Sequence, residues 1–177
     1  MKKAIAISLI VITFLILYFL QANFFSWFTI AGIKPNLFIL LILFIGLYAG
    51  RKIGIICGLI GGFLLEILIG KNVAASMIML GIVGFLGGYF DKNFSKESRI
   101  TIMLMVMGST CLYEIGNYVF SIIQLGNSIE ILPFIKTLCI EVIYNTLLTI
   151  IVYPGIQKIG YQLEDTFKGQ NILTRYF

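Results

Sequence analysis

Three glutamates stand isolated within long apolar runs of this chain: Glu66, Glu114 and Glu141. A carboxylate in the hydrocarbon of a bilayer costs at least about 2.5–3.5 kcal/mol on insertion scales, so such a residue faces the interior of a helix bundle and has a role there. Three roles suit these glutamates: joining helices by hydrogen bonds, receiving a partner helix, or forming a pathway for protons or a small molecule. The residue types alone leave all three open.

Polar residues accompany two of these glutamates at helical spacing. Side chains three or four positions apart share one face of a helix. The first stripe consists of Thr110, Glu114, Asn117, Ser121 and Gln124, and the second of Thr137, Glu141, Asn145 and Thr149. At 1.5 Å per residue, all three glutamates lie about 20–24 Å from the inner ends of their helices. We therefore predict one polar cluster, which binds a partner or joins the helices and consists of Glu66, Glu114, Glu141, Asn117 and Asn145.

A stripe of glycines leads to Glu66. Gly54, Gly58 and Gly62 precede it at every fourth position. Small residues at this spacing let two helix backbones approach closely, which drives packing within membranes. The following helix offers a matching surface, and we expect the two to pack there through Gly81, Gly84 and Gly88. Glu66 should then point along the packed edge, toward a neighbouring helix.

These residues need membrane helices to position them. Hydrophobic residues make up 59% of the 177 positions and charged residues 12%, whereas a soluble domain carries about 25% charged residues. We predict an all-α fold in one membrane domain, a polytopic bundle of six transmembrane helices. The predicted spans cover residues 4–21, 35–50, 53–70, 73–90, 100–124 and 134–157. Segment 22–33, which holds Trp27, is predicted to be interfacial, and residues 158–177 to form a cytoplasmic tail, either an amphipathic helix or a frayed polar end.

The positive charges predict the orientation. Ten of the 13 Lys and Arg residues fall in predicted inner segments if the N-terminus is inside, and three fall outside. Inner loops of membrane proteins carry an excess of Lys and Arg. Both termini are therefore expected in the cytoplasm. This explains the net charge of +5 without nucleic-acid binding, because the basic residues are spread along the chain.

The remaining residue types argue against several kinds of site. The chain has no His, and Cys57, Cys111 and Cys139 form no Cys-x-x-Cys pair, so we expect no metal, no cofactor and no disulfide framework. The predicted spans contain no Asp, and the chain lacks a Ser/His dyad and a Walker phosphate loop. We expect a protein that is not an enzyme.

The stretch from Lys34 to Gly70 resembles the first half of the MreD family, the rod shape-determining membrane proteins of bacteria. The resemblance is carried by Lys34-Pro35-Asn36-Leu37, by the basic turn Arg51-Lys52 with Gly54, and by Gly58-x-x-Gly61-Gly62-x-x-x-Glu66. Family members usually have Asp in the last position. The glycines at 81, 84 and 88, the chain length and the positive tail extend the likeness over the whole chain.

The resemblance implies a scaffold of the cell-wall elongation machinery in the bacterial inner membrane. Its implied partners are an MreC-like single-span protein, the cell-wall synthesis enzymes and, indirectly, the actin-like MreB; a homodimer stays open. The implied fold is similar to the substrate-binding subunits of energy-coupling-factor transporters. A vitamin-binding subunit of such a transporter is therefore the alternative function. A proton-coupled carrier would need inverted repeats, and none is visible.

Overall fold

The computed structural model describes residues 2–69, 74–126 and 130–168, and this part of the chain contains helices and no strand. The first helix, α1, continues into a π-helical turn and a short helix α2, and five further helices follow. Their bounds are α1 Lys2–Phe19, the π turn Leu20–Phe24, α2 Phe25–Trp27, α3 Leu37–Ala49, α4 Arg51–Ile69, α5 Ala75–Asn93, α6 Arg99–Leu125 and α7 Ile131–Lys168. The prediction of an all-α fold is confirmed.

Three helical segments of the described chain are long and apolar enough to cross a bilayer: Ala4–Trp27, Arg99–Gln124 and Ile131–Lys168. The sequence predicted six spans. The three others correspond to α3, α4 and α5, of which α3 is the shortest with 13 residues, about 20 Å at the helical rise. This is less than the hydrocarbon thickness of about 30 Å.

Helix α3 forms the centre of the bundle rather than one of its outer walls. Twelve of its 13 residues are buried, from Leu37 to Ala49 with the exception of Leu41. It packs against α4, α5, α6 and α7. Its sequence is apolar on every side, and a helix with that pattern is stable only where neighbours or lipid surround it. The surrounding helices carry the polar stripes and direct them inward.

Three helices meet backbone to backbone at their glycines. A Cβ atom added to Gly54 would lie 2.6 Å from the Cα of Gly46 in α3 and 2.5 Å from the carbonyl oxygen of Gly84 in α5. One turn on, a Cβ at Gly58 would overlap the carbonyl oxygen of Leu80. Such close approach excludes every side chain, so glycine is required there for packing rather than for backbone freedom.

The remaining predicted glycines also lie in this contact. A Cβ at Gly62 would overlap the backbone of Met77, and one at Gly88 the Cα of Arg51. Gly81 is less constrained, because its nearest neighbour is the flexible end of Leu59 at 3.0 Å. The sequence missed Gly87, whose Cβ would overlap the carbonyl oxygen of Leu43. Gly87 lies on a second face of α5, where α3 packs.

Helix ends alternate between two ends of the bundle. One end, here called the basic end, holds the start of α4 and the ends of α3, α5 and α7. There Lys96 pairs with Asp91 and Glu164, and Lys168 pairs with the same two carboxylates. Lys168 also donates to the carbonyl oxygen of Leu47 at 2.9 Å. Since these side chains are largely buried, removing one would leave opposite charges unpaired, which costs about 3–5 kcal/mol where pairs are fully buried.

Helix α7 continues beyond the predicted end of its span. Pro154 lies inside it and removes one backbone donor, yet the helix runs on to Lys168. Gly160 packs directly on the ring of Tyr48 in α3, and the hydroxyl of Tyr153 donates to the carbonyl oxygen of Lys96 at 2.9 Å. Residues 158–168 of the predicted tail are therefore a packed part of the bundle, and 169–177 lie outside the described residues.

The predicted interfacial segment 22–33 contains the last part of the π turn, α2 and a short irregular stretch. Trp27 is 89% exposed, while Phe25 is buried and packs edge-on against Tyr144 of α7. The hydroxyl of Tyr144 donates to the carbonyl oxygen of Phe28 at 2.7 Å. The segment thus lies against α7 at the end of the bundle opposite the basic end, and this opposite end is called the cavity end below.

Candidate functional site

A polar cavity of about 440 Å³ opens at the cavity end between the π turn, the start of α3, and helices α4 to α7. Helix α6 contributes the largest share of its wall, because the first polar stripe faces it. The lining residues are Gln21, Asn36, Leu65, Glu66, Ser76, Tyr113, Glu114, Asn117, Tyr118, Ser121 and Phe134. No Lys or Arg is among them, so the cavity is acidic and rich in amides and hydroxyls.

Glu66 uses both carboxylate oxygens to cap α5. Oε2 accepts a hydrogen bond from the backbone N–H of Ala74 at 2.6 Å, and Oε1 accepts one from Met77 at 3.1 Å. The N-cap residue of α5 is Ala74, which has no side-chain oxygen and adopts a φ of 88°. Free N–H groups at a helix start need acceptors, and a carboxylate there also interacts favourably with the helix dipole. Glu66 thus supplies from α4 the cap that α5 lacks.

The side chains of Glu114 in α6 and Glu141 in α7 lie close enough to interact. Glu141 is 6% exposed, and its Oε1 is buried without a hydrogen-bond partner among the described residues. Glu114 lines the cavity, so its carboxyl group can accept a hydrogen bond from an entering donor group.

Asn145 ties three helices together beneath this pair. Its Oδ1 accepts from the backbone N–H of Asn36 at 2.9 Å, which holds the start of α3. Its Nδ2 donates to Oγ1 of Thr110 in α6 at 3.2 Å. Thr149 donates back to the carbonyl oxygen of Asn145 at 2.7 Å. Asn145 is fully buried and does not line the cavity, so its contacts are those of a structural joint.

The five residues of the predicted polar cluster thus occupy different surroundings. Glu66, Glu114 and Asn117 line the cavity, Glu141 lies behind Glu114, and Asn145 lies deeper between the helices. Asn117 donates through Nδ2 to the carbonyl oxygen of Tyr113 at 3.0 Å, which leaves its Oδ1 for other donors. Their proposed role in partner binding stays a prediction.

Sequence reasoning missed several lining residues. Gln21 accepts from the backbone N–H of Leu37 at 3.0 Å and so fixes the π turn to the start of α3. Tyr113 interacts with the side chains of Ser76 and Asn36. The signal for Tyr113 was present, since it directly precedes Glu114 and lies four residues before Asn117, but an aromatic residue in an apolar run also suits the lipid boundary.

A second cavity of about 450 Å³ adjoins the first at the cavity end, between the last turns of α6 and the first turns of α7. The two share Tyr118, Ser121 and Phe134 in their walls. The rings of Tyr118 and Phe134 are stacked with centroids 4.1 Å apart. The polar cavity is therefore flanked by an opening between α6 and α7. Within the described chain, no group of three or more Cys, Asp or Glu is arranged to hold a metal ion.

Comparison with protein families gives a match over most of the chain. Residues 1–159 of the chain match the family described as "MreD: rod shape-determining protein MreD". Comparison with curated proteins and with solved structures gave no match. The expected similarity to substrate-binding subunits of energy-coupling-factor transporters therefore has no support from these comparisons.

Proposed function

Because this chain belongs to the family of the rod shape-determining protein MreD, we propose that it is a non-enzymatic scaffold of the cell-wall elongation complex. In this proposal it binds the transmembrane helix of an MreC-like partner. It links that partner to the peptidoglycan-synthesis enzymes and, on the inner face, to the actin-like MreB. The bundle crosses the bacterial inner membrane six times with both termini in the cytoplasm.

The polar cavity is the observation that supports a docking site. Glu114 and the Oδ1 of Asn117 offer acceptors in the cavity wall, and no basic lining residue neutralises them. A single-span helix lying between the last turns of α6 and the first turns of α7 would reach these acceptors through the second cavity. A donor side chain of that helix would then replace hydration with hydrogen bonds to these acceptors.

Glu66 has a smaller place in this proposal than the sequence suggested. Its carboxylate already accepts two backbone hydrogen bonds, and a partner would compete with them. We therefore assign partner contact to Glu114 and Asn117, with Glu141 behind Glu114. We assign Glu66 a structural role in the cavity wall, where it caps α5.

Co-purification with an MreC-like partner tests the site. We expect Glu114→Gln combined with Asn117→Leu to lower the recovered partner about tenfold or more, because two acceptors facing the cavity are lost. Glu97→Gln is the control, since it removes one exposed carboxylate at the basic end, away from the cavity. Both variants must keep the parental thermal stability in detergent, so that lost binding is separated from unfolding.

Unchanged recovery of the partner by the stable double variant would contradict docking at this cavity. Depletion in cells tests the broader function: a shape-determining scaffold predicts rounded cells. A vitamin requirement with normal rod shape would instead favour the transporter-subunit alternative.

A further inference from the structure

The outer edge of the basic end, where α4 begins beside the last turns of α5, carries positive charge that the ion pairs described above do not use. The backbone of Arg51 touches α5 so closely that a Cβ at Gly88 would overlap it. This contact places the first turn of α4 beside the last two turns of α5. Residues distant in sequence, which form no cluster along the chain, are thereby brought to one edge.

Arg51 is held on two aromatic rings of α5. Its guanidinium carbon lies 4.9 Å from the ring centroid of Phe85 and 6.0 Å from that of Tyr89. Its Nε is buried and has no hydrogen-bond partner among the described residues. A guanidinium stacked on rings keeps its N–H fork directed outward in the ring plane, where it suits bidentate binding of phosphate.

Two further cations border this edge. Lys52 follows Arg51 at the start of α4, and Lys92 lies in the last turn of α5, three residues after Tyr89; both are exposed. The ion pairs within the described chain engage Lys96 and Lys168 and include none of the three residues at this edge. The first backbone N–H groups of α4 add partial positive charge at the same place.

The surroundings indicate a membrane boundary. Phe85 and Tyr89 are 38% and 45% exposed, and the apolar faces of α4 and α5 continue away from them toward the middle of the bundle. Aromatic rings beside basic residues at a helix end are typical of the level of lipid headgroups. A ligand there meets apolar surface on one side and cations on the other.

We propose that Arg51, Lys52 and Lys92 bind the phosphate of an anionic phospholipid, with Phe85 and Tyr89 packed against the part of its acyl chains nearest the headgroup. Arg51 forms the fixed, bidentate contact, and the two lysines add charge attraction from flexible stems. Within the described chain these three cations take part in no ion pair. They select a lipid with net negative charge, because they would repel the choline cation of a zwitterionic headgroup. The site is independent of the partner proposed for the polar cavity.

Native mass spectrometry of the full chain in detergent, with added phosphatidylglycerol or phosphatidylcholine, tests the proposal. We expect Arg51→Gln combined with Lys92→Gln to weaken phosphatidylglycerol binding about 25-fold, roughly fivefold for each cation removed, from about 1 kcal/mol per basic residue. Lys34→Gln combined with Lys136→Gln removes the same charge at the cavity end and should leave binding unchanged. Phosphatidylcholine binding should be weak throughout.

A second variant separates the stacked geometry from bulk charge. Tyr89→Leu with Phe85→Leu keeps all cations and should still weaken phosphatidylglycerol binding severalfold, because Arg51 loses its platform. Equal loss in the Lys34/Lys136 control, or equal binding of both lipids, would overturn the proposal. Inorganic phosphate at millimolar concentration should not raise the melting temperature; stabilisation equal to that by phosphatidylglycerol would overturn the lipid assignment in favour of a soluble anion.

Discussion

Four buried or nearly buried carboxyl groups of this chain show how surroundings decide the role of one residue type. Glu66 accepts hydrogen bonds from two backbone N–H groups, Glu114 lies beside Glu141, and Glu164 lies between two lysines. The backbone donors of Glu66 and the lysines of Glu164 offset the cost of removing these carboxylates from water. Glu114 lines the cavity, where its oxygens can accept from an entering group.

The capping role of Glu66 leads to a prediction about stability. We expect Glu66→Leu to lower the free energy of unfolding by about 1–3 kcal/mol, because two N–H groups at the start of α5 lose their acceptors in a buried place. Glu66→Gln keeps one side-chain oxygen and should cost less. Thermal unfolding in detergent measures both, and equal melting temperatures for the Glu66→Leu variant and the parent would show that the cap contributes nothing.

The spacing of polar residues predicted which way Glu66 points but not what it binds. The four-residue repeat places Glu66 on the packed edge of α4, and its carboxylate oxygens face α5. The groups that donate to these oxygens are the backbone N–H groups of Ala74 and Met77. Every residue except proline has a backbone N–H, so the sequence does not indicate which one donates. Alanine seldom caps helices, so the sequence did not show where α5 begins. It also did not show that the N–H groups at this start take their acceptor from another helix.

At the scale of helices, glycine repeats within one helix were informative and isolated glycines were not. Gly54, Gly58 and Gly62 share one stripe, and this stripe packs on α5. Gly46 stands alone in α3, and its contact with Gly54 and Gly84 depends on three helices meeting at one height. Such a meeting follows from tertiary packing, which the repeat of a single helix does not encode.

A methyl group tests this packing more gently than a large side chain. We expect Gly58→Ala to destabilise the bundle, because its Cβ would overlap the carbonyl oxygen of Leu80 and force α4 and α5 apart. Gly108→Ala is the matched control: it also lies within a helix, and nothing lies within 4 Å of its added Cβ. The control should be neutral or slightly stabilising, by up to about 1 kcal/mol from helix propensity. Melting temperatures in detergent compare them, and equal shifts would contradict close packing at Gly58.

At the scale of the whole molecule, charge predicted more than hydrophobicity did. More basic connections alternate with less basic ones along the chain, which predicted which helix ends lie together. The basic end of the structure holds Arg51, Lys92, Lys96 and Lys168. Apolar length alone distinguishes only α1, α6 and α7 within the described chain. Helix α3 has 13 residues and lies inside the bundle, whereas α4 and α5 have 19 residues each.

Cysteine labelling from one side of the membrane tests whether α3, α4 and α5 cross the bilayer. Thr29 and Ser95 are exposed and lie on either side of these three helices in the sequence. Three crossings place them on opposite faces, whereas none or two would place them on the same face. With Cys57, Cys111 and Cys139 replaced by Ala, we expect an impermeant maleimide to label Thr29→Cys in intact spheroplasts and Ser95→Cys only after permeabilisation. Labelling of both from outside would contradict six spans, and the reverse pattern would contradict cytoplasmic termini while keeping the odd number of crossings.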